Sequence, residues 1–358
     1  MKVKAGSAVK PKSYLKSHLQ SRSRGGTLCI ALSILAFLPV HARAQSCQTG
    51  EDLEGAARAG ITAAGQRYFD LVSKADVATL RQNAIPSLAS DFSGIETTVK
   101  DHQQDLAGAQ GTVKSVFMLE TAGTAPAPHA EFYCGVFGKN GQTAGSAIFY
   151  LDNLAPGKYG VVLVDATSSK GRTSNERTMF SVILQQAGTD WKLGGLYVKS
   201  ARVAGHDSDW FVARAREYKT KGQIHDAWFY YQEANSLLSP LPFMATAAND
   251  KLSEESQALR LADLPADGKT VDLAAAPATY KLTAVFPQTV GDDLDLIVKY
   301  QAADISNTNQ AYQVNVAVIK ALVAKYPEVR DAFAGVVARA VDPSGRDYGT
   351  LLAMKDVK

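Results

Sequence analysis

The sequence predicts an α+β protein with three folded parts. Apolar residues recur at helical spacing before Gly111 and at strand spacing after it, a glycine-hinged pair of helices occupies residues 209–240, and a ββαββ pattern ends the chain. A length of 358 residues exceeds what one core usually organises. We therefore predict a leader over 1–44, an α+β domain over 45–206, a hairpin with a covering helix over 207–260, a linker over 261–279 and a ββαββ domain over 280–358.

The first 44 residues are typical of a secretory signal. Residues 1–26 carry seven lysines and arginines and no acid, and residues 27–40 are almost wholly apolar. That apolar run is shorter than the ~20 residues needed to cross a bilayer, and small residues at 42 and 44 suit signal peptidase. We expect cleavage after Ala44 and a periplasmic or secreted protein. An uncleaved anchor and a misplaced start codon remain alternatives.

Composition excludes one class of partner. Eight basic residues and no acidic ones lie in the first 44 positions, so the remaining chain carries a formal net charge of −5 instead of +3. Without a lysine or arginine cluster to neutralise phosphates, nucleic acid is not an expected partner. After leader removal, nothing in the sequence favours a membrane role.

Two cysteines, Cys47 and Cys134, remain after the leader. An oxidising compartment favours a disulfide between them. Such a loop closure contributes on the order of 4 kcal/mol through the unfolded state. The alternative is two unpaired cysteines.

The α+β domain begins with a long helix. Its apolar stripe consists of Ala57, Ile61, Ala64, Tyr68, Leu71 and Val72. Asp76 is positioned to cap a short turn that reaches Leu80, and residues 90–106 form another predicted helix. Strands are predicted over 112–120, 131–137, 147–151, 160–165, 179–185 and 191–200, separated by turn residues.

This domain resembles the nuclear-transport-factor-two-like, or cystatin-like, cone fold of small secreted bacterial proteins. The resemblance rests on residues 68–72, on Asp76 and Leu80, and on residues 191–198. It implies a curved antiparallel sheet that closes over the first helix and leaves an apolar pocket. The expected ligand-pocket residues are Tyr68, Asp70, Phe132, Phe149 and Trp191.

Some members of that fold are enzymes that place an aspartate in the pocket, often with a histidine or tyrosine. The positions to consider here are Asp70, Tyr68, Tyr133 and Tyr150. Each also has a purely structural interpretation, because Asp70 can be solvated at a helix end and the tyrosines can belong to the packing.

The stretch 209–240 resembles a single tetratricopeptide repeat. Large and small residues match the repeat's order at Phe211, Ala215, Tyr218, Gly222, Ala227, Tyr231 and Ala234, and Pro240 stands one place late. A solenoid needs at least ~3 stacked repeats, so a lone hairpin must pack on something else. It either binds a partner protein or packs on a neighbouring domain without a partner role.

No residues with a chemical signature stand out. The four histidines left after the leader, at 102, 129, 206 and 225, have no metal-ligand spacing. Asp292, Asp293 and Asp295 are interpreted as a solvated turn. A nucleophile elbow, a phosphate-binding glycine loop and a His-Glu-x-x-His run are all lacking. We therefore predict no catalytic residue, no metal and no cofactor.

The C-terminal domain is predicted as one helix on a four-stranded antiparallel sheet. Strands are expected over 280–286 and 294–301, a helix over 308–325 capped by Asn307, and a hairpin of 335–341 and 348–354 around the turn 342–345. The uncovered sheet face, or an edge strand, is a candidate docking surface for a partner protein. A purely stabilising module is the alternative.

These observations favour an exported, non-enzymatic binding protein of the bacterial cell envelope, contacting a partner protein or a small apolar ligand. The alternative is an enzyme that uses an acid and tyrosine pocket in the cone-like domain.

Overall fold

The computed structural model describes residues 45–135, 145–168, 176–259, 261–266 and 268–358. The predicted leader and its cleavage position lie outside these residues. The described part is mixed α+β, with two antiparallel sheets and a further C-terminal sheet. Within it, no helix combines the length and apolarity that crossing a membrane requires.

In the described part of the N-terminal domain, five helices form one layer, and the long first helix follows the predicted apolar stripe. It buries Ile61, Ala64, Tyr68, Phe69 and Val72. The Asp76 side chain caps the second helix by accepting a hydrogen bond from the Thr79 N–H. The region predicted as one helix over 90–106 is instead two helices with a break at His102. The five are α1 (Gly55–Ser73), α2 (Val77–Gln82), α3 (Pro86–Ser90), α4 (Ser93–Asp101) and α5 (Gln103–Leu106).

The described residues of this domain include seven strands, which are divided between two sheets. The strands are β1 (Gln45–Thr49), β2 (Gln110–Thr121), β3 (Ala127–Cys134), β4 (Ala147–Leu154), β5 (Gly157–Ser168), β6 (Glu176–Ala187) and β7 (Asp190–Ser200). The main sheet is antiparallel in the order β1-β2-β5-β6-β7. One face, with Val162 and Val182, packs against the helices, and the opposite face carries Phe117, Val161 and Ile183.

Strands β3 and β4 leave the main sheet, which corrects the prediction of one curved sheet. They pair with β8 (Met244–Thr246), which lies beyond the hairpin in the chain, and form a three-stranded sheet. The physical reason is that the second face of the main sheet is also apolar and must be covered. The predicted Cys47–Cys134 disulfide joins β1 of the main sheet to β3 of the small one.

The glycine-hinged hairpin consists of α6 (Ser208–Thr220) and α7 (Ile224–Leu238), and α8 (Ala247–Gln257) follows it. Asp207 is the cap of α6, since its side chain accepts a hydrogen bond from the Trp210 N–H. Gly222 adopts φ +77° between the two helices, a conformation in which a Cβ would be strained. The buried face of the hairpin shares one hydrophobic cluster with the C-terminal sheet.

The C-terminal sheet has five strands, one more than predicted. The extra strand, β9 (Val271–Ala275), lies in the segment interpreted as a linker, and it pairs with β10 (Ala278–Val290). The alanine-rich composition concealed it, although Leu273 and Ala275 alternate inward. The remaining elements are β11 (Asp293–Gln301), α9 (Thr308–Lys325), α10 (Val329–Ala332), β12 (Gly335–Val341) and β13 (Asp347–Ala353).

The sheet order is β13-β12-β11-β10-β9, and β11 pairs with β12 in parallel. The expectation of a wholly antiparallel sheet was therefore wrong. The helical connection between these two neighbouring strands, α9 and α10, is a crossover that returns the chain in the same direction. The predicted cap of that helix is correct, because the Asn307 side chain accepts a hydrogen bond from the Gln310 N–H.

Candidate functional site

The five predicted pocket residues do not meet in one place. Tyr68 and Trp191 belong to the cluster between the helices and the main sheet. Phe132 and Phe149 belong to the cluster between the two sheets, on the opposite face. The side chains of Tyr68, Phe132 and Phe149 are at most 1% exposed, so their rings are packed within their clusters. The main sheet separates them, because the helices and the small sheet pack against its opposite faces.

Asp70 and Tyr68 are held by structural hydrogen bonds. The Asp70 carboxylate accepts from Gln66 Nε2 at 3.0 Å within α1. The Tyr68 hydroxyl lies 3.0 Å from the carbonyl oxygens of Asn83 and Trp191, and burial raises its pKa. These contacts anchor the first helix to β7 and to the end of α2.

Tyr133 and Tyr150 lie on the outer face of the small sheet and are 42% and 39% exposed. The Tyr133 hydroxyl donates to Glu131 Oε2 at 2.6 Å, and this bond to a carboxylate raises the Tyr133 pKa to about 12. Phe132 and Phe149, which directly precede these tyrosines, point inward to the cluster between the two sheets. The two tyrosines and these two predicted pocket residues therefore face opposite ways.

An apolar groove of about 250 Å³ lies elsewhere in the N-terminal domain, where the small sheet diverges from β5, β6 and β7. Phe243, from the segment between α7 and β8, closes one side, and its ring meets Tyr197 edge-on at 5.5 Å between ring centroids. The apolar lining comes from Ile85, Pro126, Leu151, Leu154, Ala155, Tyr159, Ile183, Tyr197 and Phe243.

Two adjacent glycines of β7 form part of this groove. Gly194 is the extra residue of a bulge between the pairs Ile183–Gly195 and Leu184–Leu193. A Cβ on Gly195 would lie 3.5 Å from both Ile183 Cγ1 and Tyr197 Cε2, which is ordinary contact. The missing side chain at 195 therefore leaves room on the sheet surface that a larger residue would occupy.

Few polar groups border the groove. The Tyr159 hydroxyl donates to the Ala155 carbonyl at 2.8 Å and is not free for a ligand. Burial raises the pKa of Tyr197, so its hydroxyl stays protonated at neutral pH. Among the described residues, no group hydrogen-bonds to the Tyr197 hydroxyl. Side chains of Ser87, Asn153 and Gln185 complete the rim.

The arrangement suits a small apolar molecule with one hydrogen-bonding group. Sequence reasoning placed weight on residues 191–198 but missed the groove, because its lining comes from segments as far apart as residues 85 and 243. The double glycine in a strand was the available signal, since glycine there marks a bulge or close approach. Across the described ranges, no group of three or more His, Cys, Asp or Glu side chains is arranged to hold a metal ion.

In comparisons with known proteins, no family model, curated protein or solved structure matches this chain.

Proposed function

We propose that the protein is an exported, non-enzymatic binding protein of the bacterial cell envelope, whose N-terminal groove takes a small apolar ligand. The observation that carries this proposal is the groove itself, lined by Gly194, Gly195 and Tyr197, whose hydroxyl has no hydrogen-bond partner in the described part of the chain. A volume of about 250 Å³ is just below the usual range of ligand pockets, roughly 300–1,000 Å³. The ligand is therefore a small molecule, such as a short-chain alcohol or acid.

The proposal includes the finer fold assignments. A long helix on one face of an antiparallel sheet supports a distant relation to the cystatin-like cone fold. Buried Phe211, Ala215, Tyr218, Ala227 and Tyr231 between α6 and α7 support the resemblance to a tetratricopeptide hairpin. Export is supported by the disulfide, which an oxidising compartment favours.

The test uses 1-octanol as the probe and the mature chain, residues 45–358. We expect octanol at millimolar concentration to raise the melting temperature of the wild-type protein, because a ligand that binds only the folded state stabilises it. Gly195→Val should abolish this shift, since its methyl groups would enter the groove.

Gly349→Val is the matched control. Gly349 is also a strand glycine without a positive φ, and a Cβ there would meet only Arg339 Cγ, at 3.9 Å. This variant should respond to octanol like the wild type. An octanol shift that survives Gly195→Val would rule out the groove as the binding site.

A further inference from the structure

A second cavity, of about 260 Å³, lies between the hairpin and the C-terminal sheet. It is unrelated to the groove of the N-terminal domain. Its lining comes from the turn before α6, from both hairpin helices, from the β10–β11 turn and from the connection between α10 and β12. The lining residues are Ala204, His206, Trp210, Phe211, Tyr230, Asp292, Asp293, Leu294, Ala332 and Ala334.

One wall of the cavity is aromatic and firmly positioned. The His206 ring stacks on Trp210 with 3.6 Å between ring centroids and 8° between ring planes. A tight turn fixes His206, because Val203 and His206 exchange two backbone hydrogen bonds of 2.9 Å across Ala204 and Gly205. The Asp207 cap then sets the first turn of α6, which carries Trp210.

The floor of the cavity is apolar and rigid. Phe211 is fully buried beneath Trp210, with 5.0 Å between their ring centroids. Tyr230 lies 5.3 Å from Phe211 by the same measure, and its hydroxyl donates to the Ala332 carbonyl at 2.7 Å. Because that hydroxyl is engaged, Tyr230 contributes an apolar surface to the cavity and no free donor.

The opposite side is negatively charged. Asp292 and Asp293 are exposed carboxylates in the turn after Gly291. Within the described residues, neither forms an ion pair, whereas Glu217 in the hairpin and Glu255 beside it do. The Trp210 ring also accepts a cation within the protein, since the Arg214 guanidinium carbon lies 5.8 Å from its centroid.

Aromatic rings and carboxylates that line the same small cavity are the chemistry that recognises an organic cation. The rings attract positive charge through their quadrupole, and the carboxylates pair with it. An apolar floor favours an alkyl stem over a hydrated metal ion. We propose that this cavity binds an alkylammonium group, carried either by a small amine or by a lysine side chain of another protein.

The test follows the indole N–H signals of the three tryptophans by NMR. Choline and N-acetyl-lysine methylamide are the two probes, and 3,3-dimethyl-1-butanol is the uncharged analogue of choline. We expect both cations to shift the Trp210 signal, identified by its loss in Trp210→Phe, while the Trp191 signal stays in place. The alcohol should bind at least about tenfold more weakly than choline.

Asp292→Asn combined with Asp293→Asn should weaken binding of both cations by about tenfold or more. Asp101→Asn, an exposed carboxylate of α4, is the matched control and should change nothing. Tighter binding of the lysine derivative than of choline would indicate a protein partner, and the reverse would indicate a small amine.

Three results would overturn the proposal. The first is a Trp210 signal that does not move with either cation at about 50 mM. The second is equal binding of choline and its uncharged analogue. The third is unchanged affinity in the double asparagine variant.

Discussion

The N-terminal domain and the C-terminal half bury different kinds of polar side chain. In the described part of the N-terminal domain, the buried polar residues are the hydroxyl side chains of Thr121, Ser146, Thr178 and Ser181. From α6 onward they include the carboxylates of Asp226, Asp295 and Asp342. The first region also contains the disulfide. The stability of the N-terminal domain should therefore depend on reduction of the disulfide, and that of the C-terminal half should depend on pH.

Asp226, in the first turn of α7, shows this contrast most clearly. Asp226 is fully buried, and neither of its carboxylate oxygens has a hydrogen-bond partner among the described residues. Burial, reinforced by Glu328 and Asp331 on the facing segment, raises its pKa to about 7. Tyr218 of α6, Tyr230 of α7 and the adjacent His225 complete its ionisable surroundings. His225 bridges Glu328 at 2.6 Å and Asp263 at 3.1 Å.

The largest expected effect is the loss of the disulfide. Cys47→Ala with Cys134→Ala releases a loop of 87 residues in the unfolded state. It should lower the free energy of unfolding of the N-terminal domain by about 4 kcal/mol. Hydrogen exchange by mass spectrometry should then show lost protection in β1 and β3. Unchanged protection in α9 is the internal control, and equal losses in both halves would contradict the comparison.

The second effect concerns Asn315, a buried amide side chain of α9. Asn315 accepts from the Tyr300 hydroxyl at 2.7 Å and donates to the Tyr348 carbonyl and to Thr350 Oγ1, which ties α9 to β11 and β13. Asn315→Ala leaves these groups unsatisfied and should cost about 3 kcal/mol in chemical denaturation. Asn309→Ala, on the exposed side of the same helix, should cost far less.

The third effect is pH-dependent. The folded-state pKa of Asp226 lies above its ordinary value of 3.8, so its contribution to stability is complete below that value and is lost as pH rises through about 7. Asp226→Asn removes the charge. The variant should therefore be more stable than the wild type by on the order of 2 kcal/mol at about pH 8 and nearly equal at about pH 4.

Thermal unfolding across that pH range measures this difference. Asp209→Asn, at an exposed position of α6, is the control and should follow the wild type. A difference between the Asp226 variant and the wild type that stays constant with pH would show that the carboxyl does not titrate as described.

The smallest effect tests an exposed ion pair. Arg216 Nε and Nη2 each lie 2.8 Å from an oxygen of Glu255, and the Tyr231 hydroxyl donates to the same carboxylate. These bonds lower the pKa of Glu255 to about 2. Because the pair is solvent-exposed, Arg216→Met should cost less than about 1 kcal/mol, and less still at high salt. A loss as large as that of Asn315→Ala would refute the distinction between buried and exposed polar groups.

Local sequence patterns anticipated much of the secondary structure. The stripe of α1, the caps Asp76, Asp207 and Asn307, and strand β12 follow from periodicity and capping chemistry. The disulfide pairing followed from there being only two cysteines after the leader. These features depend on residues that are close in sequence or few in number, and for that reason one sequence was enough.

The candidate site could not be predicted in the same way. Tyr68 and Phe132 are both large, apolar-faced and buried, and they lie apart because α1 and the small sheet pack against opposite faces of the main sheet. The groove appears where two sheets diverge, and its closing residue, Phe243, arrives from beyond the hairpin. No local pattern carries that information.

By itself the sequence determined where most of the longer helices and strands lie, although not their ends, because backbone hydrogen bonding and side-chain periodicity act over a few residues. Only the tertiary structure decided how those elements pair. It placed β8 beside β4, β9 beside β10 and β12 parallel to β11. It also buried Asp226 with no hydrogen-bond partner for its carboxylate among the described residues. These outcomes depend on covering every apolar face at once, which is a property of the whole chain.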